Sequence, residues 1–443
     1  MAFLESFAIF LAIVAAWGVA MALFARTERF KRWNLGLSLF ILMVRTVRGR
    51  EVIDRIAQRR GFWRLYGRLS VGLVFVTMAG ITALLVWEAT LVAQIPARNA
   101  PAPELLLGLP GLNPAIPLWY GIFGLAVAII VHEFAHGILA RVSRVKIQSL
   151  GLLFVYVPIG AFVEPDEAEM KALPRAERMR LFAVGPATNL LLAGAFLLSF
   201  SLVLMPSVSA YHEGAGVLYV EPGSAADAIG LRPGWIITSL NNTTVRDNLA
   251  LRDALSTTQP NQTGVPLTAC YHASCRDFNA TLNASYNTVT GQWRGRLGIR
   301  GTDVTTAVFS PLGDGSDFPR SLLIFISLPF FGLMPLTEPY TEFYHVSGAW
   351  AAVPAPVFWV LASGAYWLFW LNLMLGATNA LPAVPLDGGY LFRDGLHSLL
   401  DRLRGGVPAE RRERTVRHVS YGIALAILAL ILWQFIGPRL NAG

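Results

Sequence analysis

Residues Val131–Gly137 read VHEFAHG, and how these seven are understood governs the reading of everything on either side. His132 and His136 stand four apart, with Glu133 next to the first. On an α-helix, positions i and i+4 share a face, so both imidazoles reach one metal ion. The neighbouring glutamate then holds and deprotonates a water activated by that ion. The setting sharpens the inference, because Leu118–Leu139 is otherwise almost wholly apolar. An ionisable group at membrane depth costs roughly 2.5–3.5 kcal/mol on insertion scales, so a cluster of them inside a span points to chemistry.

Composition agrees. Of 443 residues, 54% are hydrophobic and only 14% are charged. That describes a multi-span membrane protein with room for one water-facing module, and a lipid bilayer as its solvent. The net charge of +8 comes from arginines and lysines gathered on loops along one membrane face, so it calls for no nucleic-acid partner. Cys270 and Cys275 are the only two cysteines, which excludes a cysteine zinc site. Met1–Phe24 is apolar without a basic n-region and reads as a retained span, not a cleaved signal.

About six transmembrane helices are expected. Ala2–Ala25 is the first, and the basic stretch from Arg26 to Arg64 follows it. By the positive-inside rule that stretch is cytoplasmic and the N-terminus lies outside. Leu35–Val44 within it is too short to cross and is expected to lie in the interface. Leu69–Val92 runs outward, and the proline-rich loop Ala93–Pro117 carries only Arg98. Leu118 to about Arg141 returns inward, with His132 14 residues into it. That is roughly 21 Å by helical rise, in the cytoplasmic half of the bilayer.

Ile147–Val163 is apolar but interrupted by Gly151, Pro158 and Gly160, with β-prone Phe154-Val155-Tyr156-Val157 as one arm. It reads as a re-entrant or membrane-associated β-hairpin dipping towards the histidines, or as a buried loop. Leu181–Pro206 goes out and contains Gly185-Pro186-Ala187-Thr188-Asn189, small residues that permit close helix approach. Asn189, inside a span, needs a hydrogen-bond partner.

From Glu213 the composition becomes that of a water-soluble α+β domain, dividing the chain into 1–212, 213–302 and 303–443. Gly216–Val220 and Gly234–Leu240 read as strands, and Glu221–Leu231 as a turn leading into a short helix. Five N-x-[ST] acceptors, at Asn241, Asn242, Asn261, Asn279 and Asn283, lie here with both cysteines, which could close a hairpin disulfide. Sugar acceptors and a disulfide both belong outside the cytosol, in agreement with the loop charges. Ser321–Pro335, broken by Pro329, is expected not to cross; Val357–Leu381 runs inward and Ser420–Ile436 leaves.

A catalytic zinc takes three protein ligands and leaves one position open. The third candidate ligand comes from Asn379–Gly389, NALPAVPLDGG, at the inner end of the fifth span. Pro382 and Pro385 break the helix and leave Asp387 just past the break, at about the depth of the two histidines.

HEFAH, GPATN and NALPAVPLDGG, in that order between residues 132 and 388, resemble the site-2 protease family of intramembrane zinc metalloproteases. The resemblance implies one catalytic Zn2+ held by His132, His136 and Asp387, with Glu133 as catalytic base. It implies that Asn379 orients substrate and that the Ile147–Val163 hairpin presents it, through Phe154 and Val155. Asn189 is grouped with these as a substrate contact. The substrates implied are membrane proteins with a transmembrane helix, cut within or near it. Residues 213–302 resemble the PDZ domain many members insert there, although Trp235 stands where an aspartate commonly follows Pro-Gly. Two rival readings remain at this stage. A protease working above the bilayer needs a third ligand on a water-exposed helix, and none is evident. A metal transporter or PDZ-type scaffold requires neither Glu133 nor a carboxylate at the depth of Asp387.

Overall fold

Long apolar runs have no water to satisfy their backbone, so they fold as helices that bond internally. Among the described residues, five helices are long and apolar enough to cross a membrane: Arg60–Leu91, Leu118–Val142, Arg175–Ser207, Ala355–Asn379 and Ala409–Leu440. The structure is a computed structural model. It describes residues 2–33, 35–38, 41–97, 100–106, 108, 110–111, 113–155, 157–287, 291–304, 311–312, 318–331, 336–403 and 408–440. The sixth expected crossing is an α-helix as well, Ala2–Phe24, the side chains of whose first part are not among those described. Arg98 and Tyr156, named above, also lie outside the described residues.

The chain divides into two compact units, Met1–Ala195 with Trp367–Gly443, and Phe196–Tyr366. The first begins with helices α1 (Ala2–Phe24) and α2 (Glu28–Arg32), then strands β1 (Leu35–Ser38) and β2 (Ile41–Thr46). Helices α3 (Arg50–Ala57), α4 (Arg60–Leu91) and α5 (Leu118–Val142) follow, then β3 (Ile147–Val155), β4 (Val157–Pro165), α6 (Glu167–Ala172) and α7 (Arg175–Ser199).

The 147–163 segment is thus a hairpin, but a larger sheet than expected contains it. Leu35–Val44, assigned above to the interface, is a second hairpin, and the order β1-β2-β3-β4 is antiparallel throughout. The physical reason is backbone satisfaction: an apolar strand beside another apolar hairpin pairs its amides with it more cheaply than with lipid headgroups. β4 is the terminal strand of this sheet, and α5 packs along it. Ile53 of α3 is fully buried with Ala135, Ile138 and Leu139 of α5 and with Leu150 of β3, which seats the sheet against the histidine helix.

The second unit holds β5 (Val208–Ala210), β6 (Ala215–Val220), α8 (Ala225–Ala228), β7 (Ile236–Leu240), β8 (Thr243–Thr244) and α9 (Asn248–Ser256). It continues with β9 (Val265–Tyr271), β10 (Ser274–Ala280), β11 (Asn283–Asn287), β12 (Gln292–Arg296), β13 (Ile299–Asp303), α10 (Arg320–Ser327) and β14 (Tyr344–Val346). The two strands and the short helix anticipated from the sequence are β6, β7 and α8, and Ser224 caps α8 by accepting from Asp227 N–H. The main sheet runs β10-β9-β7-β6-β13, with β8 beside β7. Cys270 and Cys275 face each other across β9 and β10 and are joined as a disulfide. The unit is wider than 213–302 because β5 pairs with β14. With eight residues, α10 is far too short to cross a bilayer. The chain then returns to the first unit through α11 (Ala355–Asn379), α12 (Asp387–Leu403) and α13 (Ala409–Leu440).

Ile237 of β7 is fully buried in the core of the second unit with Val217, Leu251 and Leu267. Ile237→Ala is expected to destabilise this unit by about 2–5 kcal/mol. Leu249→Ala, at an exposed position, should stay within about 0.5 kcal/mol. Denaturant titration read by protease resistance of the 196–366 segment checks both.

Candidate metal centre

The site is assembled from three helices of the first unit. α5 supplies His132 and His136, one turn apart, with ring centroids 4.8 Å from each other. Asp387, the first residue of α12, brings Oδ2 to 2.9 Å from His132 Nε2 and 3.2 Å from His136 Nε2. The three potential ligand atoms lie within 4.8 Å of one another. A carboxylate at a helix N-terminus is favoured by the helix dipole. Its placement here depends on backbone contact: a Cβ on Gly388 would sit 2.3 Å from Ala380 O, and one on Gly389 2.4 Å from Val384 N. The glycines of LDGG therefore let α12 start directly on the turn that follows α11.

α7 fixes the rings from behind. His136 Nδ1–H donates to Leu181 O at 2.7 Å, and a carbonyl only accepts, so the proton sits on Nδ1 and the Nε2 lone pair faces inward. His132 Nδ1 meets Asn189 Oδ1 at 3.2 Å. The amide orientation is set because Asn189 Nδ2 donates to Ala128 O at 3.1 Å. His132 is therefore also Nδ1-protonated, with Nε2 free. Two imidazole lone pairs and a carboxylate oxygen converge on one point. With a proton or a cation between them the repulsion is relieved, and two nitrogens and one carboxylate oxygen within 4.8 Å of one another are the donor set of a catalytic zinc site.

His132, Glu133, His136, Asn379 and Asp387 line one cleft of about 350 Å³, closed in part by Val163 and Phe182. Glu133 Oε2 accepts from Val163 N–H at 3.2 Å, which ties the glutamate to β4. Asn379 donates Nδ2 to Leu375 O at 3.2 Å, within its own helix. The other three residues expected to meet substrate are elsewhere. Phe154 and Val155 belong to β3, an interior strand, where Phe154 is opposite Leu42 on one side and Pro158 on the other. Asn189 is 0% exposed and sits beneath His132, not in the cleft.

Gly185 is the residue the sequence reading treated only as a small packing position. A Cβ there would lie 2.4 Å from His136 Nε2 and 2.7 Å from His132 Nε2. Only glycine leaves room for both rings to aim at a common ion; the signal was its place in GPATN. A second cluster, His212 with Cys270 and Cys275, also has ligand-type atoms within 4.8 Å of one another. The disulfide leaves no thiolate there to ligate, so the cluster is not a metal site in this state. Gly185→Ala is expected to abolish zinc retention in the purified chain while leaving its helical content unchanged, measured by metal analysis beside circular dichroism.

A model of peptidase family M50 matches residues 120–427. An uncharacterized protein of Methanocaldococcus jannaschii is 24% identical over 410 residues, 90% of this chain and 89% of its own length. The putative zinc metalloprotease Rip3 of Mycobacterium tuberculosis is 40% identical over 87 residues, only 19% of this chain and 20% of its own. The metalloprotease MmpA of Caulobacter vibrioides is 23% identical over 340 residues, 61% of this chain and 83% of its own. The family match encloses both histidines, the glutamate, the glycine that clears them and the distant aspartate. With spans of membrane length around that centre, the chain belongs to peptidase family M50, as a membrane-embedded zinc metalloprotease of the site-2 protease family.

Proposed function

We propose that this protein cuts membrane proteins within or near a transmembrane helix, in regulated intramembrane proteolysis. One observation carries the reading: two histidines and an aspartate separated by 255 residues meet in one cleft that also holds Glu133, the histidines and the glutamate being carried by a helix long and apolar enough to cross a membrane. His132, His136 and Asp387 hold the zinc. When bound, zinc supplies Lewis-acid activation of water and of the scissile carbonyl. Glu133 takes the proton of the attacking water and passes it to the leaving amine. Its hydrogen bond from Val163 N–H keeps the carboxylate at the cleft. Asn379, on the cleft wall, offers its amide to the substrate backbone. A transporter or scaffold has no use for a base beside the three ligands, which weighs against both.

A helical substrate hides its carbonyls in internal hydrogen bonds and must unwind before attack. Strand addition to the hairpin replaces the lost bonds. The sequence points to Phe154 and Val155 for this pairing. The sheet order favours β4, the terminal strand, which reaches Glu133 through Val163. The loop charges support a cleft in the cytoplasmic half of the cell membrane, and the sequons and the disulfide support an insert on the outside. The six-strand sheet with its two short helices supports a PDZ-like identity for that insert.

Glu133→Gln should retain zinc and lower turnover by about 10²–10⁴. The assay is purified chain with a membrane-spanning substrate, the cut being mapped by mass spectrometry; a cut that persists in the mutant or in chelator refutes the reading. Strand addition is tested at Ala161, whose N–H shares the outward side of β4 with Val163 by alternation. Ala161→Pro should reduce cleavage at least about tenfold with zinc content unchanged.

A further inference from the structure

Arg178 of α7 and Asp394 of α12 form an ion pair outside the metal cleft, and its interpretation rests on the zinc site proposed above. Arg178 Nε donates to Asp394 Oδ2 at 2.9 Å, and Nη2 donates to Oδ1 at 2.7 Å. Asp394 is 2% exposed. The remaining guanidinium nitrogen, Nη1, donates to the carbonyls of Lys171 and Leu173, each at 3.2 Å, so the fork is itself held by the turn before α7. A two-point fork between planar groups sets orientation as well as distance, which a lysine in the same place would not do.

The positions of the two residues along their helices give the pair its meaning. Arg178, Leu181, Gly185 and Asn189 follow at spacings of three, four and four and therefore share one face of α7. That face carries the acceptor for His136, the clearance for both rings and the acceptor for His132. On α12, Asp394 follows Asp387 by seven residues, within about 20° of two full turns, so both carboxylates share a face. Gly388 and Gly389 set only where α12 begins. The direction in which the helix then runs, and with it the aim of Asp387, needs a second fixed point. Asp401, further along α12, pairs with Arg175 and Arg412, but these groups are a quarter to a third exposed and contribute less.

We propose that Arg178 and Asp394 are a positioning pair for the metal centre. They lock the register and rotation of α12 against α7, so that Asp387 Oδ2 arrives at the point where both histidine Nε2 atoms already aim. Neither residue touches the ion or the substrate.

The test uses the full chain in detergent and reads two quantities: the zinc dissociation constant, by competition with a chromophoric chelator, and the melting temperature of the zinc-free protein. Asp394→Asn should weaken zinc binding by about ten- to a hundredfold, as loss of a group supporting a ligand does. Arg178→Lys, which keeps the charge but loses the fork, should fall between. The exchange Arg178→Asp with Asp394→Arg should recover much of the loss. Asp401→Asn, which removes two ion pairs from the same helix, should change zinc affinity by less than about threefold. A lower zinc-free melting temperature in Asp394→Asn with unchanged zinc affinity would overturn the proposal, because the pair would then only hold the fold together. An exchange variant binding zinc no better than Asp394→Asn would overturn it too. A wild-type chain that takes up no zinc overturns the metal reading itself, which separates that failure from this one.

Discussion

Three electron-rich atoms pressed together in an apolar interior need a proton or a cation between them. His132 Nε2, His136 Nε2 and Asp387 Oδ2 are that close. Everything nearby follows from holding them so. The backbone carbonyl of Leu181 and the amide oxygen of Asn189 take the other imidazole protons and thereby determine which nitrogen is left bare. An absent side chain at Gly185 makes space for both rings. A paired glycine at the start of α12 lets its first carboxylate come within reach.

The same economy of polar groups explains the sheet. Strands in an apolar setting pay several kcal/mol for each unpaired amide. β1 and β2 join β3 and β4 in one ladder, leaving unpaired edges only at its two ends among the described strands. One of those ends, β4, is bonded to Glu133. The backbone that most needs a partner thus lies beside Glu133, which is the basis of the proposed strand addition at this edge.

α7 is the common support. It faces α5 with the acceptors for the histidines and faces α12 with Arg178. Its GPATN segment is accordingly more than a stripe of small residues: Gly185 clears the rings, Thr188 meets Tyr66 of α4 at 2.8 Å, and Asn189 anchors His132. Helix packing and metal geometry are served by adjacent residues of one helix face.

Local chemistry made much of this legible beforehand. Histidines at i and i+4, prolines that end a helix before Asp387, apolar runs of membrane length and the short β-prone runs of β6 and β7 are properties of neighbouring residues, and neighbouring residues are what a sequence displays. The hairpin at 147–163 and the disulfide bridge were visible for the same reason. What distance along the chain concealed was pairing. Leu35–Val44 showed itself only as too short to cross, because its strand partner lies about a hundred residues on. Phe154 looked like an edge position because nothing near it in the chain shows that Leu42 of β2 pairs with it. Asn189 looked like a substrate contact because nothing in its own span shows that His132 lies above it. Sequence alone determined which atoms could bind a metal and which segments must be helical. Only the tertiary structure decided which nitrogen is bare, which strand is last and which glycine has a ring against it, because each depends on groups brought together from separate parts of the chain.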